Sequence, residues 1–377
     1  MRVGIDARLL SQPIAGIGRY LWQLSRELIT REAEFRLYMP SRPLVGDWDT
    51  ANTRVRAGAI SGRAGRMLWS QTVLPWQAAR DGVDVFWGPA HRLPQYLPAR
   101  IARVVTIHDL VWKFAGETMR PLSRWMEARL MPQAIALSDR IIAVSHSTAQ
   151  AIEEEFPSAR GKVRVIPLGV TPMAAPGKRS ALAPLGVVRP YFLFVGTLEP
   201  RKNLHRLLKA YARLPASLRQ NTQFVLVGAK GWGGVDVAQL VSQLGVARDV
   251  VLPGYVDDAQ LATLYAHAQF LAMPSLYEGF GLPLIEAMSC GVPVLTSNLS
   301  SMPEVAADAG FFVDPLDEVS IADGLARLLA EDALRQSLAS RARCIASRYS
   351  WEQAARSTWQ VFEEAQLERQ ALRGERV

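Results

Sequence analysis

Cysteine is nearly absent from this chain of 377 residues. The two that occur, Cys290 and Cys344, are too few for a disulfide framework, so the fold must stand on its hydrophobic core, and a reducing compartment is expected. No run of about twenty apolar residues appears, which argues against a membrane-spanning helix. The opening MRVGIDARLL has no apolar stretch followed by a small-residue cleavage site, which argues against a secretory leader. A cytoplasmic location is expected. His91, His108, His146, His205 and His267 are scattered without metal-ligand spacing, so no metal site is expected. There is no Lys/Arg-rich tract and no nucleic-acid-binding module, which sets nucleic acid aside as a partner.

What is plentiful is core material. Hydrophobic residues make up 49% and charged residues 21%, ordinary values for a globular chain, and the length exceeds what one core usually supports. Two domains follow. The formal charge is +8, and all of the excess lies in residues 1–170, with 23 Lys and Arg against 15 Asp and Glu; the remainder balances at 20 and 20. Such one-sided charge attracts phosphorylated substrates or anionic surfaces.

Element order supports the two-domain reading. RVGID, FRLYM at 35–39, VDVFWGP at 83–89, ARVVTIHDL at 102–110 and DRIIAVSHS at 139–147 read as strands with helical patterns between them, which predicts an α/β domain with a doubly wound parallel sheet over 1–170. The Pro/Gly/Ala-rich stretch at 171–189 reads as a linker. The pattern restarts over 190–349 with YFLFVG, QFVLVGA, DVVLPGYV, AQFLAMPS, VPVLTSN and GFFVDP, six strands of a second Rossmann-like domain. A last helix over 350–377 is expected to pack back on the first domain. Ligands bind beyond the carboxyl ends of such strands, so chemistry is sought in the strand-end loops.

Four constellations stand there. YEGFGLPLIEAMSCGVPV at 277–294 combines a loop of Gly279, Phe280 and Gly281 with a helix starting near Leu282, whose amino terminus suits an anion. Glu278 and Glu286 flank that helix start and suit sugar hydroxyls; the plainer alternative is that they complement the helix dipole. GTLEPRKN at 196–203 places Gly196 at a strand end, with Arg201 and Lys202 just before a helix, where cations are disfavoured unless a diphosphate sits against them. The alternative is a solvated surface. Gly16 and Gly18 precede a helix, yet the third glycine of a dinucleotide loop is replaced by Leu21, and no acidic residue ends the next strand, so a nicotinamide enzyme is disfavoured. His108 ends a strand and either contacts a sugar hydroxyl or is core.

Taken together, EPRKN and the later YEGFGLPLIEAMSCGVPV resemble the large family-four glycosyltransferases of the GT-B fold, two Rossmann-like domains facing across a cleft. The resemblance covers nearly the whole chain and is densest over 190–330. It implies a retaining hexosyltransferase using a nucleotide-diphosphate sugar without a metal or other cofactor. Glu278 would contact the donor sugar, Glu286 the ribose, and Arg201 with Lys202 the diphosphate. His108 would line the sugar pocket, Gly16 and Gly18 would face the diphosphate, and domain closure would accompany donor binding. GIGRY, VFWGPAHRLP and TIHDL are similar to bacterial mannosyl- and rhamnosyltransferases that build O-antigen or exopolysaccharide, which favours a GDP-sugar. Arg54, Arg56, Arg63, Arg66 and Arg80 stand among Met67, Leu68, Trp69 and Trp76, and Arg124 beside Trp125. That mixture suits an anionic membrane and a lipid-linked acceptor, unless the tryptophans are core. A two-domain nucleotide-sugar epimerase and a non-catalytic sugar-nucleotide-binding protein are the alternatives.

Overall fold

The computed structural model describes residues 1–14, 16–60, 62–229, 231 and 236–374. It divides the chain into two compact units, one comprising residues 1–110, 125–169 and the chain from 350 onward, the other residues 111–124 and 170–349.

The first unit carries strands β1 (Arg2–Asp6), β2 (Glu34–Met39), β3 (Thr53–Ala57), β4 (Val85–Gly88), β5 (Ala102–Ile107), β6 (Arg140–Ala143) and β7 (Val163–Val165). They form one parallel sheet in the order β3-β2-β1-β4-β5-β6-β7. The second unit carries β8 (Tyr191–Val195), β9 (Gln223–Val227), β10 (Val250–Gly254), β11 (Leu271–Met273), β12 (Val294–Ser297) and β13 (Gly310–Val313). These are again all parallel, in the order β10-β9-β8-β11-β12-β13. Both units are Rossmann-like, as expected, and both wind alike: the strand order reverses between β1 and β4 in one and between β8 and β11 in the other.

Central strands are apolar on both faces because helices cover both. Every residue of QFVLV in β9 is buried, and ARVVTI in β5 is buried except for Arg103. In the second unit Phe192 stacks between Phe224 and Phe270, with ring centroids 4.3 and 5.0 Å away. The edge strand β3, TRVRA, buries only Thr53. Its arginines hide it from a hydrophobic-pattern reading, and Arg54 and Arg56, grouped in the sequence with Arg63 and Arg66, lie on this strand. Arg56 reaches Asp81 at 2.7 Å.

The helix Trp351–Leu372 belongs to the first unit. Its apolar face places Phe362 5.8 Å from Trp87 and Trp351 6.1 Å from Tyr20, centroid to centroid. Burying Phe362 contributes about 1.5–3 kcal/mol. Charged residues fix the register: Arg140 pairs with Glu364 at 3.1 Å and with Glu368, and Arg369 pairs with Asp139. Among the described residues no helix is long and apolar enough to cross a membrane.

Candidate active site

The reversal between β8 and β11 places two loops side by side at the carboxyl ends of those strands, where open parallel sheets bind ligands. Gly196 directly follows β8 and Gly228 directly follows β9. Gly228 has φ +156°, and a Cβ there would stand 1.9 Å from the Gly196 carbonyl oxygen. Only glycine permits that approach. Beyond Gly196, Pro200–Lys202 form a 3-10 turn that ends at Asn203, a left-handed residue with φ +60°. The Asn203 amide donates to the carbonyls of Pro274 at 3.0 Å and Pro315 at 2.6 Å. Leu276 N–H donates to the Arg201 carbonyl at 2.8 Å, so the loop after β8 is tied to the loop after β11.

That tie brings Arg201, Lys202 and Glu278 together. Arg201 Nη1 donates to Glu278 Oε2 at 2.5 Å, and Lys202 Nζ lies 2.5 Å from Oε1. Arg201 Nε also donates to Glu199 Oε2 at 3.2 Å. Lys202 and Glu278 are each only 6% exposed. Burial alone would push the Glu278 carboxyl up, but the Arg201 and Lys202 charges outweigh it and hold the group at about 2. Burial, with some help from Arg201, draws the Lys202 ammonium below the ordinary lysine value despite the opposing pull of Glu278. A buried lysine and a half-buried arginine held side by side in this way form a cationic pair suited to a diphosphate, and such fixed charges are what stabilising a leaving phosphate requires.

Ser300 and Ser301 hold the backbone of Glu278. Glu278 N–H donates to Ser300 Oγ at 3.0 Å, and both serine hydroxyls reach the Glu278 carbonyl at 2.9 Å. Neither serine, nor Glu199, is a candidate from sequence; the available signal is the hydroxyl-rich SNLSS just after a strand.

Gly279 and Phe280 are buried between Glu278 and the helix Leu282–Ser289, and Phe280 packs edge-on against Tyr349 at 5.4 Å. Gly281 caps that helix at φ +101°, a left-handed conformation, and a Cβ there would meet Met302 at 2.7 Å. Leu282 begins the helix. No side chain caps it, nor the helix Leu204–Ala212 that begins after Asn203, so both amino termini keep N–H groups able to face an anion. Glu286, 5% exposed, lies in the second turn and accepts a hydrogen bond from Tyr265 Oη at 2.9 Å. That tyrosine positions it.

Three candidates belong to the first unit. Gly16 caps the helix Ile17–Leu28, and Gly18 is buried in its first turn. His108 follows β5, 7% exposed, with Tyr20 edge-on at 4.6 Å. Its Nε2 lies 2.9 Å from the Pro89 carbonyl, which can only accept, so that nitrogen carries the proton. Burial and neighbouring His91 hold His108 neutral, at about 3. Its Nδ1 is therefore an acceptor. His91, at φ +62°, receives the His108 amide N–H on Nε2 at 3.0 Å, which leaves Nδ1–H to donate to Glu127 Oε2 at 3.3 Å. Against the effect of burial, the Glu127 carboxylate raises the His91 value.

The basic, aromatic segments divide. Trp69 is 2% exposed, so it is a core residue of the helix Arg63–Gln71 and cannot meet a membrane; this corrects the sequence expectation. Helical phase turns Trp69 inward and Leu68 outward, the latter 66% exposed. Trp125 and Trp76 are exposed at 64% and 58%, with the Arg80 guanidinium 5.5 Å over the Trp76 ring. Arg66 is half-buried and Arg124 exposed, while the side chain of Arg63 lies outside the described residues. Among the described residues no group of three or more His, Cys, Asp or Glu is placed to hold a metal ion.

Two doubly wound sheets with an Arg-Lys-Glu cluster at a winding reversal suit an enzyme that binds a phosphorylated substrate, and family comparison names the class. Residues 14–173 match Glycosyltransferase Family 4 and residues 185–344 match Glycosyl transferases group 1; the protein belongs to this glycosyltransferase family. It is 32% identical to O-antigen chain mannosyltransferase B of Escherichia coli over 96% of this chain and 99% of that protein. It is 28% identical to a D-inositol 3-phosphate glycosyltransferase of Xylanimonas cellulosilytica over 94% and 93% of the two chains. Among solved structures, WaaG, a glycosyltransferase involved in lipopolysaccharide biosynthesis, superposes with a TM-score of 0.75 at 20% identity, covering 96% of this chain and 99% of that one.

Proposed function

We propose that this glycosyltransferase moves a mannosyl residue, with retention, from GDP-mannose onto a lipid-linked or polysaccharide acceptor during assembly of a cell-surface glycan. The observation that carries the reading is the cluster of half-buried Arg201 with buried Lys202 and Glu278 at the β8–β11 reversal. The similarity to O-antigen chain mannosyltransferase B along nearly the full length of both chains supports the choice of mannose over rhamnose and the glycan acceptor.

In this proposal the donor diphosphate lies against Arg201, Lys202 and the uncapped start of the helix Leu282–Ser289. The diphosphate competes with Glu278 for the two cations, which frees that carboxylate to accept from hydroxyls of the donor sugar, while Glu286 holds the ribose. Negative charge grows on the β-phosphate as the glycosidic bond breaks, and the cations are already in place to receive it. The departing phosphate accepts the acceptor proton on the same face. No metal or other cofactor takes part. The exposed Leu68, Trp76 and Trp125 beside arginines favour work in the cytoplasm at an anionic membrane surface, where apolar and basic side chains bind together.

A thermal-shift panel of nucleotide-sugars tests the donor. A ligand present at a hundred times its Kd stabilises by about 2.7 kcal/mol. GDP-mannose should raise Tm, and UDP-glucose should not. A shift with UDP-sugars alone would reassign the base, and no shift with any nucleotide-sugar would overturn the donor site.

A further inference from the structure

The Glu278 carboxylate is held by two cations, whereas Glu286 accepts from the hydroxyl of Tyr265. That hydroxyl comes from the helix Asp258–Ala266, which precedes β11 as the helix Leu282–Ser289 follows it. Asp257 and Gln260 close a capping box at its start: the Gln260 N–H donates to Asp257 Oδ1 at 2.8 Å, and the Gln260 side-chain carbonyl accepts from the Asp257 N–H at 3.1 Å. Near its end three further ties fix it. Tyr191 of β8 donates through Oη to the Leu264 carbonyl at 2.7 Å, and Gly177 donates its N–H to Thr263 Oγ1 at 2.9 Å while its carbonyl accepts from His267 Nε2 at 3.0 Å. None of these ties uses Tyr265, whose ring is fully buried and whose Oη donates to Glu286 Oε2 at 2.9 Å.

We propose that Tyr265 is a positioning residue for the nucleotide: its hydroxyl sets the Glu286 carboxylate for the ribose diol, so that the preference for a ribonucleotide over its deoxy forms depends on a side chain that acts only through Glu286. The inference rests on the reading of Glu286 as the ribose carboxylate and adds the group that orients it. Glu286 sits among the buried apolar residues Leu284, Ile285, Ala287 and Met288, where a carboxylate is costly unless it is hydrogen-bonded. A bond fixed on one of its oxygens also removes rotamer freedom before a ligand arrives, so less is lost on binding. The donor is a hydroxyl, which orients a carboxylate without cancelling its charge as Arg201 and Lys202 do at Glu278. That charge strengthens the hydrogen bonds it accepts from a diol, and a carboxylate offers about four lone-pair positions, more than one tyrosine fills. Because other residues anchor the helix Asp258–Ala266, the place of the Tyr265 hydroxyl is set by the fold and not by the ligand.

Isothermal titration calorimetry on the full chain tests this, with GDP and UDP as probes, each against its 2′,3′-dideoxy form. For whichever base binds, the wild type should prefer the ribonucleotide by about a hundredfold, the factor carried by two charge-assisted hydrogen bonds. Tyr265→Phe removes one oxygen and keeps the ring in the core. Its preference should fall to about tenfold or less, with the dideoxy nucleotide bound as in the wild type. The readout is a ratio of two Kd values within one variant, so a general loss of stability or of binding cancels from it. Glu286→Gln should lose the preference likewise, and the double variant should lose little beyond the larger single effect, because the two residues act through one contact. A wild-type ratio in Tyr265→Phe, including one in which both nucleotides weaken equally, would overturn the proposal and leave the ribose role of Glu286 standing if Glu286→Gln loses the preference. If Glu286→Gln keeps the wild-type ratio, or the wild type shows no preference, the ribose reading falls and the proposal with it. Binding of neither GDP nor UDP would remove the donor site altogether.

Discussion

The two units wind their sheets in the same order and use the reversal differently. At β8 and β11 a lysine with a depressed pKa and an arginine are gathered around Glu278, next to two helix starts without side-chain caps. At β1 and β4 Arg8 is paired with Asp6 and Arg92 with Glu127 around a cavity that Arg66 also lines, and nearby His108 is neutral. The shared topology therefore dictates where a ligand can bind, and the residues at the strand ends decide which ligand. Fold alone would have assigned both units the same nucleotide.

The difference should be most visible in acid. His108 in the first unit is depressed to about 3 by burial and by His91. A depressed folded value means stability that is present above the ordinary 6.5 and is lost as pH falls from there toward 3, about 5 kcal/mol across the full window. Glu278 in the second unit, held at about 2 by Arg201 and Lys202 against the effect of burial, contributes roughly 3 kcal/mol that is lost only between 4.5 and 2. Glu127, also at about 2, behaves like Glu278. His91 works the other way, since Glu127 raises it, so its stabilisation is present below 6.5 and fades as pH rises through its folded value. Hydrogen exchange at pH 5 should accordingly show β4 and β5 losing more protection, relative to pH 7.5, than β8 and β11. His108→Phe should remove the difference. Equal loss in both sheets, unchanged by that variant, would mean His108 is not the source.

Gly228→Ala comes next. The new Cβ would overlap the Gly196 carbonyl at 1.9 Å, and overpacking of backbone against backbone should cost about 3 kcal/mol. Urea unfolding should show it, together with weaker donor binding, because Gly196 opens the loop that carries Arg201 and Lys202. Lys202→Ala removes a charge-assisted contact of about 1.5–3 kcal/mol, or on the order of ten- to a hundredfold in kcat/KM if felt in the transition state. Initial rates with a saturating acceptor check it, and unchanged turnover would remove Lys202 from the reaction.

These contrasts were unevenly legible in the sequence. The strand-helix alternation predicted two parallel sheets because central strands such as β5 and β9 are apolar on both faces. β3 escaped because an edge strand alternates Arg54 and Arg56 with partly buried neighbours. Arg201, Lys202 and Glu278 were singled out as separate motifs 77 positions apart, each odd in its own setting, and the fold brings them within contact. Ser300 and Ser301 could not be found that way, since their role depends on the loop after β12 lying next to the loop after β11. The pairing of His91 with Glu127 was hidden for the same reason: their 36-residue separation carries no period. Trp69 was misread because composition shows a basic, aromatic stretch without showing which side of the helix faces in.

The smallest expected effect concerns that surface, and it separates two readings of the charge excess in the first 170 residues. Trp125→Ala removes an exposed ring, 64% accessible, from a surface position, so stability should change by no more than about 0.5 kcal/mol. Donor binding should also be unchanged. Co-sedimentation with anionic vesicles should nevertheless fall, because an interfacial tryptophan adds apolar insertion to the attraction that neighbouring arginines exert on acidic lipid. Restoring the lost binding by lowering the salt would show that charge still operates when the ring is gone, since exposed charges are screened over about 10 Å at 0.1 M ionic strength. Indifference of the wild-type chain to anionic lipid at any salt would leave the positive excess of the first unit to act on soluble, charged ligands alone.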